Sequence, residues 1–205
     1  MAHKLSFLHT ALDTENSSRI GGKSFLPSTI EWPKNPNAEP LVLVASLASE
    51  LLNKELGYSL PHDTFVSVFT TYSKSDYFLD VITYTGSEDE LTNIQNGFTK
   101  VILHEKGEAR NESDYLIPAR HFSLSPLPSE DKHYSGSKLA GEPGWLQQEV
   151  MNVLGYKYAL QLYSSDFPEE FEDIFYLTDA VGYLFLASDL ELDKKENGIF
   201  FAQTT

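Results

Sequence analysis

The sequence predicts an α+β fold, mainly antiparallel sheet with a few short helices, in two related halves that share one core. Three observations predict it. Short runs rich in β-branched and aromatic residues recur along the chain, separated by turn residues. One stretch, Leu47 to Leu56, spaces its leucines as a helix does. Similar features also recur at an offset of about 118 residues, the mark of a repeated unit.

Residues 41–47 (LVLVASL) form an apolar run suited to a buried strand. Leu47, Leu51, Leu52 and Leu56 then share one helical face, Glu50 and Lys54 make a favourable i,i+4 pair, and Gly57 ends the helix. FVSVFTTY (65–72) and YFLDVITYT (77–85) read as strands, and the turn-like Ser73-Lys74-Ser75-Asp76 joins them as a hairpin. FTKVILHEK (98–106) is a further strand. YLIPARHFSL (115–124) is extended, with Pro118 marking an edge or a bend. Pro, Ser and Gly crowd residues 125–144, which read as a linker between halves at 15–100 and 135–205. Beyond it, 144–154 reads as helix, and 156–164, 181–189 and 199–203 as strands. Ile20-Gly21-Gly22 answers Leu139-Ala140-Gly141 across the two halves.

A chain of 205 residues, 41% hydrophobic and 13% aromatic, suffices for a single domain over 1–205 with a real core. It has no cysteine, so disulfides, thiolate metal sites and cysteine nucleophiles are excluded. No apolar run reaches membrane-spanning length and the first residues make a poor signal core, so a cytoplasmic protein is expected. Thirty acids against fifteen bases give a net charge of −15. That field opposes nucleic acid and anionic membrane, and it draws in a basic protein. The bland reading of the same charge is solubility.

Catalytic signals are weak. Gly21-Gly22-Lys23-Ser24 is half of a phosphate-binding loop, but Ser17 stands where its first glycine belongs and Pro27 interrupts the helix that must follow. No two of His3, His9, His62, His104, His121 and His133 lie three or four apart, so no helical zinc site is encoded. Asp189, Glu191 and Asp193 begin like a calcium loop, but Lys194 replaces its glycine. The expectation is a protein without cofactor, metal or enzymatic activity.

Several stretches resemble the YwqG-like family, a bacterial domain of unknown function. They are Ser18-Arg19-Ile20-Gly21-Gly22, Leu26-Pro27, Trp32-Pro33, Pro40-Leu41 with the strand and helix after it, and Leu60-Pro61. Near the other end they are residues 160–166, Asp179, residues 182–186, Asp189-Leu190 and residues 200–203. Ala45-Ser46, Asp63 and Ala140 depart from the family pattern, which usually has Gln, Gly and Gly near those places. The resemblance implies antiparallel sheet in two related halves. Some members are immunity proteins that neutralise bacterial toxins, so it also implies a function class.

One segment stands out chemically. Residues 166–179 hold six acids and no base, with Phe167, Phe171, Phe175 and Tyr176 between them. Aromatic anchors within an acidic rim suit a basic protein cleft, such as that of a nuclease toxin. The candidate partner-binding residues are Asp166, Glu169, Glu170, Phe171, Glu172, Asp173 and Asp179, with Asp189 and Glu191. The plainer reading is that the aromatics fill the core while the acids face water. A second hypothesis is a small-ligand binder or enzyme whose crevice between the halves is lined by Arg19, Trp32, Arg120 and Trp145. Arg19 and Arg120 are two of three arginines in an acidic chain, and a structural ion pair is their ordinary role. Oligomeric state is not encoded.

Overall fold

A computed structural model describes residues 1–8, 17–128, 131, 134–147, 150, 153, 155–192, 194 and 196–205. His9, His133 and Asp193 lie outside the described residues, as does much of 144–154, read above as a helix.

Ten strands form one antiparallel sheet. They are β1 (His3–Phe7), β2 (Arg19–Ile20), β3 (Val42–Ala48), β4 (Thr64–Thr70), β5 (Thr99–Glu105), β6 (Arg120–Pro126), β7 (Lys138–Leu139), β8 (Lys157–Tyr163), β9 (Val181–Leu186) and β10 (Gly198–Gln203). The sheet order is β10-β9-β8-β7-β1-β6-β2-β3-β4-β5, and it curls into a nearly closed barrel. At the seam the Thr99 hydroxyl donates to the Phe200 carbonyl at 2.6 Å, tying β5 to β10.

This corrects the α+β expectation. Helix is confined to α1 (Ser49–Leu56), α2 (Leu79–Ile82), α3 (Glu88–Asn93) and short turns. Nor does the sheet divide simply into the two expected halves: one core takes residues from both, but β1 and β6 pair with each other in mid-sheet, between the two outer strand runs. Residues 125–144 carry β7, whose Lys138 and Leu139 are both buried.

The expected hairpin over 65–85 is also corrected. β4 pairs instead with β3 and β5, and residues 79–82 coil into α2. Phe78 and Ile82, four apart, are both buried, so helical spacing prevails over strand-like composition. Pro118 precedes β6, so it neither marks an edge nor interrupts the ladder.

Inside the barrel, Val42, Val66, Val68, Val101 and Leu103 meet Leu160, Leu162, Leu184, Leu186 and Phe200. Burying each such side chain contributes on the order of 2 kcal/mol. Outside, β3 to β5 are covered by the strap after β2, with Trp32 on Leu41, Leu43 and Phe69. A second strap, after β7, lays Trp145 against Tyr183, Phe185 and Phe201 of β9 and β10. Both sheet faces are dry here, which is why β3, β4 and β9 are buried throughout.

Candidate functional site

The acidic segment caps the barrel interior. Two short 3₁₀ turns, Ser164–Asp166 and Glu169–Phe171, fold it over the open end. Phe167, Phe171, Ile174 and Phe175 enter the interior cluster with Tyr72, Phe78 and Ile82. Tyr72 packs on Phe171 with ring centroids 5.7 Å apart, and Lys74 Nζ sits 5.1 Å above the Phe171 ring. Phe171 therefore faces the core rather than a partner.

The acids remain outside. Glu169, Glu170 and Asp179 are exposed, while Asp166, Glu172 and Asp173 are half-buried. Asp173 accepts a hydrogen bond from the Tyr72 hydroxyl at 2.8 Å, which pushes that hydroxyl's pKa above its ordinary range, after burial as the larger cause. Asp179 accepts from the Thr205 hydroxyl at 2.6 Å. The Asp166 carbonyl accepts from Arg120 at 3.0 Å, fastening the cap to β6.

The structure adds residues that the sequence reading missed. The turn after β4 brings Tyr77 against the cap: its ring lies 5.0 Å from that of Tyr176, edge to face. Tyr77 is 60% exposed, and Tyr176 and Leu177 are each 36% exposed. The Tyr77 hydroxyl donates to Asp80 at 2.5 Å. Asp76 accepts from Ser73 and Ser75, and these two bonds lower its pKa. An exposed aromatic pair thus joins two acidic chain segments, 76–80 and 166–179. Among the described residues, none of these carboxylates forms an ion pair with Lys, Arg or His. Tyr77 opens the stretch 77–85 that read as a strand, and its only sequence signal is an aromatic beside Asp76.

Asp189 and Glu191 do not join this face. They follow β9, whereas Asp179 precedes it, and six strand residues span about 20 Å. Glu191 belongs to a loop closed by Asn197, whose side-chain amide donates to the Glu191 carbonyl at 2.9 Å.

The four crevice residues do not converge. Trp32 is buried between the first strap that carries it and the sheet, and its indole N–H donates to the Leu41 carbonyl at 2.9 Å. Trp145 is carried by the second strap and packs on β9 and β10. Arg19 pairs with His121 and Arg120 with Ile20, so alternation turns the two arginines to opposite faces of the sheet. Arg19 is buried, donates to the Lys23 carbonyl at 2.6 Å and lies 4.5 Å from the Phe25 ring centre. It fastens the strap. Among the described residues no helix is long and apolar enough to cross a membrane.

A curled antiparallel sheet with a capped interior and two straps defines the class. The chain belongs to the family described as a domain of unknown function, DUF1963, whose model matches residues 18–196. That span takes in β2 to β9 and leaves out β1 and β10. No curated protein matches the chain.

Proposed function

We propose that this chain is a YwqG-like immunity protein that captures a basic, nuclease-type bacterial toxin and covers its active site. One observation supports the reading: the exposed Tyr77–Tyr176 pair joins two acidic segments whose carboxylates have no cationic partner among the described residues. A toxin that grips phosphates presents a basic cleft. Carboxylates speed encounter with such a cleft, and exposed aromatics supply contact area once it closes.

The test is co-expression with the product of the neighbouring gene, scored as growth rescue. Rescue by the wild-type chain and failure of a Glu169→Lys/Glu170→Lys variant support the reading. Association of that variant slows most at low salt, where steering is least screened. Rescue untouched by charge reversal removes this face, and no rescue by the wild-type chain ends the immunity reading.

A further inference from the structure

A cleft of about 160 Å³ opens beside the Tyr77 face. Its walls are the turn around residues 35–40, the segment 71–76 and residues 113–115. Glu39, Asp76 and Asp114 bring a carboxylate from each wall, and Ser73, Ser113 and Tyr115 add hydroxyls. Lys74 also belongs to this turn, but its ammonium is directed to the Phe171 ring.

Size and charge narrow the occupant. The volume is about that of five liquid water molecules. It lies below the roughly 300–1,000 Å³ of a cofactor or drug-sized site. Among the described residues no three carboxylate or imidazole groups are gathered closely enough to hold a metal ion. The carboxylates are therefore spread over separate walls, which suits a forked cation better than a point charge. A guanidinium presents five N–H donors in one plane and lies flat on an aromatic ring; an ammonium presents three and holds its water tightly. Tyr115 offers such a ring, held edge-on to Tyr72 at 4.9 Å.

We infer that this cleft receives one arginine side chain of the basic partner, its guanidinium stacked on Tyr115 and shared among Glu39, Asp76 and Asp114. The inference rests on the reading that a basic polypeptide docks on the adjoining face.

The probe is N-acetyl-arginine amide, titrated into ¹⁵N-labelled protein beside N-acetyl-lysine amide. The expected result is saturable shifts at the amides of 73–76 and 113–115, with arginine several-fold tighter than lysine. Asp114→Asn and Asp76→Asn each weaken arginine several-fold while the rest of the spectrum keeps its dispersion. Equal affinity for the two amides, absence of saturation, or variants that bind like wild type overturns the inference. Growth rescue separates it from the immunity reading. If Asp76→Asn/Asp114→Asn still rescues while Glu169→Lys/Glu170→Lys does not, the face stands and the cleft is discarded. If the wild-type chain never rescues, the immunity reading falls and the titration still decides the cleft.

Discussion

Two straps cover the outside of this sheet, and each begins with the same backbone departure. After β2, Gly21 and Gly22 take φ of 60° and 77°; after β7, Ala140 and Gly141 take 62° and 79°. Each strap then carries one of the chain's two tryptophans over the sheet. What fastens them differs. The first is held through a buried chain of Ser24, Ser67 and His104, with Ser67 Oγ 2.8 Å from His104 Nε2 and 3.3 Å from Ser24 Oγ. The second is held by Gln161, which accepts from the Gly144 N–H at 2.8 Å and donates to the carbonyls of Tyr134 and Gly136. The first fastening contains an imidazole, which can gain a proton in mild acid. The second is made of an amide and of phenols, which do not; among them the Tyr183 hydroxyl donates to the Gly144 carbonyl at 2.8 Å. The turns teach a second point: positive φ alone does not demand glycine. A Cβ at Gly21 would sit 2.7 Å from Ile117 Cγ2 and 2.8 Å from the Ile117 carbonyl oxygen, whereas Ala140 carries its Cβ in the same conformation.

The largest effect expected from this contrast is Gly21→Ala. The left-handed penalty of about 1–2 kcal/mol adds to an overpacking cost of about 1–3 kcal/mol, so urea unfolding should show a loss of about 3 kcal/mol. A loss below about 1 kcal/mol would mean that residues 115–119 yield easily.

Acid should separate the straps next. Burial, then the nearby Arg110, pushes the His104 pKa below its ordinary value. Below about pH 6.5 the unfolded chain takes up a proton that the folded imidazole refuses, so this group's contribution falls as pH drops toward the folded-state pKa. The slope is at most about 1.4 kcal/mol per pH unit. In single-tryptophan variants, Trp32 emission should shift on acidification before Trp145 emission. His104→Gln should remove the pH difference between them, and simultaneous shifts in the unsubstituted strap would break the contrast.

Ala140→Gly is the smallest expected change. Relief of roughly 1 kcal/mol of left-handed strain is offset by roughly 0.5–1 kcal/mol of added chain freedom. The melting temperature should move by no more than a few degrees.

The strands whose neighbours lie close in the chain were legible. LVLVASL, FVSVFTTY, FTKVILHEK and the runs near 160, 183 and 200 all appear as strands within a few residues. So does the helix stopped by Gly57, which has φ of 77° and donates its N–H to the Leu52 carbonyl. β1, β2 and β7 were not read, because two to five residues with distant partners leave no periodic signal. The recurrence of Gly21-Gly22 in Ala140-Gly141 was legible as local turn geometry, but the two-halves reading built on it did not allow for β1 and β6 between the runs. At the cap, composition located the acids of 166–179, and of the two readings of the aromatics the plainer one holds for Phe167, Phe171 and Phe175, which face the core. Spacing alone did not choose between them, since a buried and a displayed aromatic have the same spacing. Tyr77 gained its place from α2, which the sequence reading took for a strand.

The position of β1 bears on how the chain assembles. Leu5 lies opposite Leu124 and Lys4 opposite Lys138, so both borders of this strand are made of residues far along the chain. Closing such long loops precedes any gain from the ladder, which slows acquisition of the native state. Until β1 inserts, β6 and β7 each present a bare rim of backbone donors and acceptors to other chains. Slow synthesis and cool growth should therefore raise the yield of monodisperse material.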